Sequence, residues 1–204
     1  PIIIHDDTLD RTTNGKGNVK DFTLPELRRL DAGGWKGAEY RGEKMPTLAE
    51  VIDLVAPLQP YPILNIELKA SSIMTDGIES ATLDVLNEKK YFHNIIISSF
   101  NPMTLMRMRL LAPQIPRGLL YSSDQPVHLR RAWLRPLVGP VALHPYYKMI
   151  DERLMRWAKQ KNLRVNTWTV DDPGIAEKLR GWGVNAIITN DVEKLKKAES
   201  PGRP

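Results

Sequence analysis

Short apolar runs alternate along the chain with stretches whose apolar residues recur at helical spacing. The apolar runs predict β-strands at residues 2–5, 63–68, 94–98, 117–121, 140–144, 163–170 and 185–189. Helix start signals lie between most of these runs. They are the capping-box pairs Thr23/Glu26 and Thr47/Glu50, and the cap-plus-proline pairs Asn101/Pro102 and Asp172/Pro173.

Alternation of strands and helices predicts an α/β fold with a parallel sheet. Both a TIM-type (β/α)8 barrel and a doubly wound sheet would fit this order. No G-x-G-x-x-G follows a predicted strand, which disfavours a dinucleotide-binding sheet and favours the barrel. The 204 residues are 42% hydrophobic, enough for one sizeable core, so we expect a single domain over residues 1–204.

Charge and cysteine content narrow the function. The net charge is +5, from 29 Lys and Arg against 24 Asp and Glu, and this balance favours an anionic substrate. The basic residues are spread thinly and are typical of solvated helix faces, which argues against a nucleic-acid-binding stripe. The absence of cysteine excludes disulfides, thiolate zinc sites and a cysteine nucleophile. No apolar run reaches the roughly 20 residues that span a bilayer.

Polar side chains collect at the ends of the predicted strands. In a parallel barrel these ends meet at one face, where functional groups gather. The chemistry-bearing residues at strand ends are His5, Asp6, Glu67, Lys69, Ser98, Ser99, Phe100, Tyr121, His144, Trp168, Thr189 and Asn190. We expect the isoleucine strand at residues 2–5, buried on both faces, to hold His5 rigidly at this rim.

The stretch "LNIELK" is the most informative strand. Side chains alternate along a strand, so Asn65, Glu67 and Lys69 share one face. If that face points into the barrel, Glu67 is a candidate oxygen ligand for Mg2+ or Ca2+, and Lys69 a candidate phosphate contact. If the strand lies at an edge, the same three residues are simply in water, and the stretch alone fits both interpretations.

The sequence alone does not decide whether His5, His144 and Trp168 have structural or functional roles. A lone histidine at a strand end is more often structural, but the acidic pair that follows His5 favours an acid–base role. His144 fits a position lining the site and a position in the packed core equally well. Burial is the default for Trp168, and a wall facing a sugar or glycerol is the sharper alternative.

The segments "HDDTLDRTTNGKGNV", "LDAG", "MPTLAEV", "IELK", "ISSF", "NTWTV" and "IITN" resemble, in that order, the glycerophosphodiester phosphodiesterase family. The resemblance runs from residue 2 to about residue 192. It implies a TIM-type barrel with a small insertion after the first visible strand, at about residues 8–45. It also implies hydrolysis of glycerophosphodiesters to glycerol 3-phosphate and an alcohol, dependent on a divalent metal ion, Mg2+ or Ca2+.

The same resemblance implies roles for individual residues. His5 matches the second of the family's two acid–base histidines. Glu67 matches the third metal-binding carboxylate, and Lys69 matches the lysine near the phosphate. Phe100 and Trp168 match apolar walls of the substrate pocket. Whether water or a glycerol hydroxyl of the substrate attacks first is left open.

The sequence also departs from the family pattern. The His-Arg-Gly, Glu-Asn-Thr and Glu-x-Asp elements are not present, and Asp191-Val192 stand where the family often has Tyr-Pro. We therefore expect an incomplete barrel without its first βα unit and second strand, lacking one histidine and two metal ligands, and inactive alone. The front segment could be left out of the sequence as given, deleted, or supplied by a second chain. Two further strands would make nine, so we expect one of the predicted runs, with those at 117–121 and 140–144 as the candidates, to lie outside the barrel wall or not to be a strand.

Two other functions stay open. One is a catalytically silent barrel that binds a phosphorylated ligand or partner. The other is a phosphodiesterase for lysophospholipid or sphingomyelin-like substrates, which is disfavoured because no amphipathic membrane-docking segment is recognisable. We expect a small-molecule glycerophosphodiester as substrate, no nucleic-acid partner, no stable membrane insertion and a cytoplasmic location.

Overall fold

The computed structural model describes residues 1–70 and 72–199, which divide into two compact units. The N-terminal unit contains residues 1–63 and 77–94. The sheet unit contains residues 64–76 and the chain from residue 95 onward. Among the described residues, no helix is long and apolar enough to cross a membrane.

The N-terminal unit is built from turns and three α-helices. The helices are α1 (Leu24–Leu27), α2 (Leu48–Val55) and α3 (Ile78–Lys89), with 3-10 turns at Val19–Asp21 and Ala38–Tyr40. Leu9, Leu27 and Met45 form a small buried cluster. Residues 8–45 therefore have a core of their own; their status as an insertion stays a prediction.

The predicted strand at residues 2–5 is wrong. Ile2 forms a single antiparallel bridge with Thr47, and the amide of Ile3 donates to the carbonyl of Pro46 at 2.8 Å. A strand needs a continuous ladder, whereas these isoleucines pair with the short segment that precedes α2. Ile3 is 41% exposed, so the run is not buried on both faces either.

The sheet unit contains a six-stranded parallel sheet whose spatial order follows the chain. The strands are β1 (Leu64–Glu67), β2 (Ile95–Ser99), β3 (Arg117–Tyr121), β4 (Ala142–Pro145), β5 (Arg164–Thr167) and β6 (Ala186–Ile187). This confirms the predicted α/β class and the parallel sheet, and six of the seven predicted strands. The closed eight-stranded barrel and its missing parts stay predictions.

Both runs that could have been surplus belong to the sheet. Residues 117–121 form β3 and residues 142–145 form β4, with Leu119 opposite Leu143. Each strand is buried along its whole length. The expectation that one of these two runs lies outside the wall is therefore wrong. Of the seven predicted runs, the one at residues 2–5 forms no strand.

Six helices follow the strands of this unit. They are α4 (Pro102–Leu111), α5 (Val127–Arg130), α6 (Arg135–Val138), α7 (Glu152–Gln160), α8 (Pro173–Gly181) and α9 (Val192–Glu199). Part of the core lies between β5 and the last three helices, around Val165, Ala158, Ala176, Leu179 and Leu195. The strands are therefore covered by helices that return the chain to the start of the next strand, as a parallel sheet requires.

The predicted helix starts are confirmed. Thr47 Oγ1 accepts from the amide of Glu50, whose carboxylate accepts from the amide of Thr47 in return. Asp172 Oδ1 accepts from the amide of Ile175 at 2.9 Å. These bonds satisfy amides that have no partner within the helix, so polar residues at these positions fix where α2 and α8 begin.

Candidate active site

The polar face of β1 and the end of β2 lie side by side in the sheet unit. Glu67 is the last residue of β1 and is opposite Ser98 of β2 in the parallel register. Ile66 and Leu68 are buried, whereas Glu67 and Lys69 are half-buried. The predicted alternation is therefore confirmed, because the polar side chains share one face of the strand.

Glu67 and Lys69 form an ion pair. Lys69 Nζ donates to Glu67 Oε1 at 2.6 Å, and the side chains of Lys69 and Glu67 are 31% and 29% exposed respectively. Pairs this open to water contribute about 0–1 kcal/mol. An anionic ligand could therefore take the ammonium group of Lys69 at little cost, since three N–H groups leave donors for a second acceptor.

The backbone around this pair is tied to the neighbouring strand. Ser99 Oγ donates to the carbonyl of Leu68 at 2.7 Å, and Asn101 Nδ2 donates to the carbonyl of Ala70 at 3.2 Å. Both bonds connect the exit of β1 to the exit of β2. The segment that carries Lys69 is therefore positioned by polar side chains of the next strand.

Phe100 and Trp168 meet as an aromatic pair. Their ring centroids are 5.3 Å apart at an interplanar angle of 85°, which is an edge-to-face contact. The indole Nε1 of Trp168 donates to the carbonyl of His144 at 2.8 Å, and the ring of Tyr146 lies 5.4 Å away. These contacts fix the indole in one orientation, with its polar atom satisfied.

His144 is a packed core residue. It is 1% exposed, and its Nε2 lies 2.9 Å from Asn166 Nδ2, which can only donate. Nε2 is therefore the acceptor of the neutral ring, and burial lowers the pKa of His144 to about 4. Of the two positions that the sequence allowed, the structure has the packed one.

His5 belongs to the N-terminal unit and lies in a different kind of environment. Its side chain is 77% exposed, and Nδ1 lies 2.6 Å from Asp6 Oδ1. Arg11 donates to both oxygens of the same carboxylate, at 2.6 and 2.8 Å. The hydrogen bonds from Arg11 have the largest effect on the pKa of Asp6, and the one from His5 has the next largest. Together they hold this pKa well below its usual range.

Two groups lie against the Nδ1 atom of His5. Asp6 Oδ1, at 2.6 Å, only accepts when ionised and favours a proton on Nδ1, whereas Arg11 Nη2 lies farther away, at 3.4 Å. The shorter contact favours a neutral His5 whose Nε2 keeps its lone pair. Arg11 is a residue that the analysis of single positions missed. It lies inside the "HDDTLDR" motif, and an arginine close to an Asp-Asp pair is the signal that could have indicated it.

Metal-binding capacity is limited in the described part of the chain. Residues 1–70 and 72–199 contain no group of three or more His, Asp or Glu side chains that could hold a metal ion. Glu67 supplies one carboxylate, and within the same residues only its Oε1 atom has a hydrogen-bond partner. Its Oε2 atom is therefore suited to be one ligand of an ion that takes the rest from elsewhere.

Comparison with known proteins decides the family. The model of the "Glycerophosphoryl diester phosphodiesterase family" matches residues 1–194. The chain belongs to this family. A glycerophosphodiester phosphodiesterase of Caldanaerobacter subterraneus subsp. tengcongensis is 39% identical over 196 residues, which covers 95% of this chain and 78% of the relative. One from Bacillus subtilis is 32% identical and covers 93% of this chain and 68% of the relative.

The fold is similar to that of a solved phosphodiesterase structure. The phosphodiesterase of Oleispira antarctica, in complex with its product sn-glycerol-3-phosphate, superposes with a TM-score of 0.83 at 32% identity. The match covers 98% of this chain and 79% of that one. These matches confirm the family and the enzyme class that were predicted from the sequence. The roles of individual residues stay predictions.

Proposed function

We propose that this protein hydrolyses glycerophosphodiesters to glycerol 3-phosphate and an alcohol, with one water consumed for each bond broken. The observation that carries the proposal is the Glu67–Lys69 pair at the C-terminal end of β1, in a chain that matches the family over residues 1–194. A carboxylate and an ammonium group at a strand end suit an anionic phosphodiester held by a metal ion and a lysine.

In this proposal Lys69 binds a non-bridging oxygen of the phosphate. A phosphodiester carries one negative charge, and more charge develops on its oxygens as a nucleophile adds to phosphorus. A cation fixed at this point stabilises the transition state more than the substrate. The weak, half-exposed pair with Glu67 keeps Lys69 in place before the substrate arrives.

Glu67 is proposed as one ligand of a divalent ion, Mg2+ or Ca2+. Both ions prefer oxygen ligands, and Mg2+ often takes one or two carboxylates together with water and substrate phosphate oxygens. Such an ion, when bound, would neutralise charge on the phosphate oxygens. The described residues contain no group of three or more His, Asp or Glu side chains that could hold the ion. Glu67 would therefore share the ion with ligands such as water and substrate phosphate oxygens.

His5 is proposed as one of the two acid–base groups. Its Nε2 lone pair can accept a proton from the attacking hydroxyl or water, because the Asp6 carboxylate holds the other nitrogen in its protonated form. The imidazolium that results is stabilised by the same carboxylate. Arg11 keeps Asp6 ionised, so it acts on His5 through Asp6.

Phe100 and Trp168 are proposed to form the wall against which the glycerol moiety lies. The edge-to-face pair presents a fixed apolar surface next to the polar end of β1 and β2. Glycerol has carbon–hydrogen faces that pack on such rings, while its hydroxyl groups stay free for polar contacts. The wall would select the glycerol moiety by its shape, whereas Lys69 would bind the charged phosphate.

The test is release of glycerol 3-phosphate from glycerophosphocholine by the full-length protein, measured with and without a chelator. Glu67→Gln keeps the size of the side chain and removes its charge, and we expect at least ~10²-fold lower kcat/KM. Lys69→Met should cost ~10²–10³-fold. The matched control is Glu177→Gln, an exposed glutamate on α8, which should leave kcat/KM unchanged.

Two results would overturn the proposal. Turnover that survives both chelation and Glu67→Gln would show that hydrolysis needs neither the divalent ion nor Glu67. Absence of turnover in a folded protein that still binds glycerol 3-phosphate would identify the silent binding barrel instead.

A further inference from the structure

The connection between β3 and β4 carries an exposed surface that is both apolar and cationic. Val127 is 41% exposed and Trp133 is 58% exposed. Arg130 and Arg131 are also exposed, and their guanidinium groups make no ion pair or hydrogen bond within residues 1–70 and 72–199. These four residues are called the β3–β4 surface.

The charge around this surface is mainly positive. The β3–β4 connection, residues 122–141, contains three arginines and a single acidic residue, Asp124, while the whole chain has a net charge of only +5. Positive charge is paired elsewhere, as at Lys197 with Glu193. The excess of positive charge in this connection is therefore available to an anionic partner.

The surface is held in shape by its own backbone. The amide of Arg131 donates to the carbonyl of Val127 at 3.1 Å, and the amide of Trp133 donates to the carbonyl of His128 at 3.0 Å. The second bond folds the chain back so that Trp133 lies next to the first turn of α5. The exposure of the indole is thus a feature of an ordered segment.

The following helix anchors the segment to the rest of the sheet unit. The guanidinium group of Arg135 lies 4.6 Å from the ring centroid of Trp157 on α7. At the other end, Gln125 Oε1 accepts from the amide of Ser122, directly after β3. The β3–β4 surface is therefore presented by a loop that is fixed on both sides.

The β3–β4 surface lies on the chain that leaves the C-terminal end of β3. All six strands are parallel, so their C-terminal ends lie at one edge. β3 ends at Tyr121, six residues before Val127, while β1 ends at Glu67 and leads into Lys69. The surface is thus part of the connection that starts at the edge where the phosphate is proposed to bind.

We propose that the β3–β4 surface docks on an anionic lipid surface. Tryptophan prefers the boundary between water and lipid, because its ring is apolar and its N–H is polar. Arginines beside it can reach the phosphate groups of anionic lipids while their stems lie along the apolar layer. Val127 adds aliphatic area that lipid chains accept and that nucleic acid would not use.

Docking would bring the site to the source of its substrates, a step that rests on the proposed function. Glycerophosphodiesters and lysophospholipids arise where acyl chains are removed from membrane phospholipids, so an enzyme at the surface meets them first. This proposal goes beyond the sequence analysis, in which no amphipathic membrane-docking segment was recognisable. The four residues were hard to recognise from sequence because α5 has only four residues, too few to show a periodic pattern.

The test is co-sedimentation of the full-length protein with vesicles of phosphatidylcholine, alone or mixed with phosphatidylglycerol. We expect binding to the mixed vesicles, weakened by salt, and little binding to phosphatidylcholine alone. Arg130→Gln with Arg131→Gln should weaken binding about 30-fold. The matched control is Lys159→Gln with Lys161→Gln, which removes the same charge at the end of α7 that precedes β5, and it should weaken binding much less.

A second variant separates docking from general charge attraction. Trp133→Ala keeps the net charge and should also weaken binding, whereas Leu110→Ala, at a residue that is 76% exposed near the end of α4, should not. Equal losses in the arginine and lysine variants, or no vesicle binding at all, would overturn the proposal. Self-association that depends on Trp133, in place of vesicle binding, would identify a second copy of the chain as the partner and would also overturn it.

These outcomes are independent of the proposed hydrolysis. Vesicle binding needs no turnover, so it can be positive even if glycerol 3-phosphate is never released. Conversely, the arginine variant should hydrolyse soluble glycerophosphocholine at the normal rate. A loss of that activity would place the arginines in the substrate site and not at a lipid-docking surface.

Discussion

The two units hold their candidate functional side chains by different means. In the sheet unit, Glu67 and Trp168 stand on strands or at strand ends whose positions are set by backbone ladders. In the N-terminal unit, His5 follows no strand and is oriented by Asp6, which is itself held by Arg11. A ladder places whichever side chain occupies the position, whereas a chain of side-chain bonds is lost when one member changes.

The electrostatics of the two units differ in the part that burial plays. In the N-terminal unit, hydrogen bonds lower the pKa of several carboxyl groups, namely Asp6, Glu26, Asp31 and Glu50. The sheet unit has such carboxyl groups too, for example Asp171. In its core, however, burial raises the pKa of Tyr121 and lowers that of His144 to about 4.

The largest expected effect is loss of turnover when the oriented histidine is removed. His5→Ala should lower kcat by ~10²–10⁴-fold if His5 moves a proton as proposed. The free energy of unfolding should stay unchanged, because the side chain is 77% exposed. Both are measured on the full-length protein, by release of glycerol 3-phosphate and by urea unfolding.

Two further variants sharpen this result. Arg11→Gln should lower kcat less than His5→Ala and should also change its pH profile, because Asp6 loses the bonds that keep its pKa low. His93→Ala, at an exposed histidine of the same unit, is the control and should retain full activity. An unchanged kcat in His5→Ala would show that the orientation of this side chain has no catalytic meaning.

Close packing gives the next largest effect and compares the units directly. A Cβ at Gly33 would overlap the backbone carbonyl of Tyr40, whereas a Cβ at Gly118 would lie 2.5 Å from the ring of His144. A backbone atom cannot rotate away, so Gly33→Ala should cost more than ~3 kcal/mol of unfolding free energy. Gly118→Ala should cost about 1–3 kcal/mol, because a side chain can shift in part.

Chemical denaturation of both variants, beside Gly181→Ala, checks this order. Gly181 is the last residue of α8 and has open space around it, so its replacement should be neutral or slightly stabilising. A Gly118→Ala variant with wild-type stability would mean that the His144 ring is not packed over β3.

The sheet could be predicted from the sequence because each of its strands carries its own signal. The run "NIIISS" contains three consecutive isoleucines and ends in polar residues, and it became β2. The run "IIIH" looks the same but formed no strand. Strand formation depends on a neighbouring strand to pair with, and that information does not lie in the run itself.

The candidate site could be predicted only in part, for a related reason. The alternation in "LNIELK" placed Glu67 and Lys69 on one face, since that follows from strand geometry alone. The contact between Phe100 and Trp168 joins residues 68 positions apart and follows from the register of several strands. The link from Arg11 to Asp6 depends on a loop conformation, for which the sequence has no comparable rule.

A pH titration of stability should separate the buried His144 of the sheet unit from the surface carboxyl groups. His144 has a pKa of about 4 when folded and 6.5 as its ordinary value, so the unfolded chain binds more protons between these pH values. The free energy of unfolding should therefore be at its plateau above about pH 6.5 and fall as the pH drops toward 4. The loss at pH 4 should be up to about 3 kcal/mol.

The surface carboxyl groups, such as Asp6 and Glu26 in the N-terminal unit and Asp171 in the sheet unit, act at lower pH. Their lowered pKa values stabilise the folded state above their ordinary values of 3.8 or 4.5, and this contribution is lost only as the pH falls below that range. His144→Gln should remove the slope between pH 6.5 and 4 and leave the acid limb intact, while His128→Gln, at an exposed histidine, should change neither. A slope that persists in His144→Gln would assign it to other groups.

The smallest effects should come from helix caps, where the two units are built alike. Thr47→Ala removes the cap of α2 in the N-terminal unit, and Asp172→Ala removes that of α8 in the sheet unit. Each should cost about 1 kcal/mol in urea unfolding, because each leaves one or two helix amides without a protein acceptor. Thr47→Ser and Asp172→Asn keep a capping oxygen and should restore most of it. If one alanine variant loses much more unfolding free energy than the other, the caps do not act only on their own helix ends. The two units would then have similar cap geometry but different cap energies.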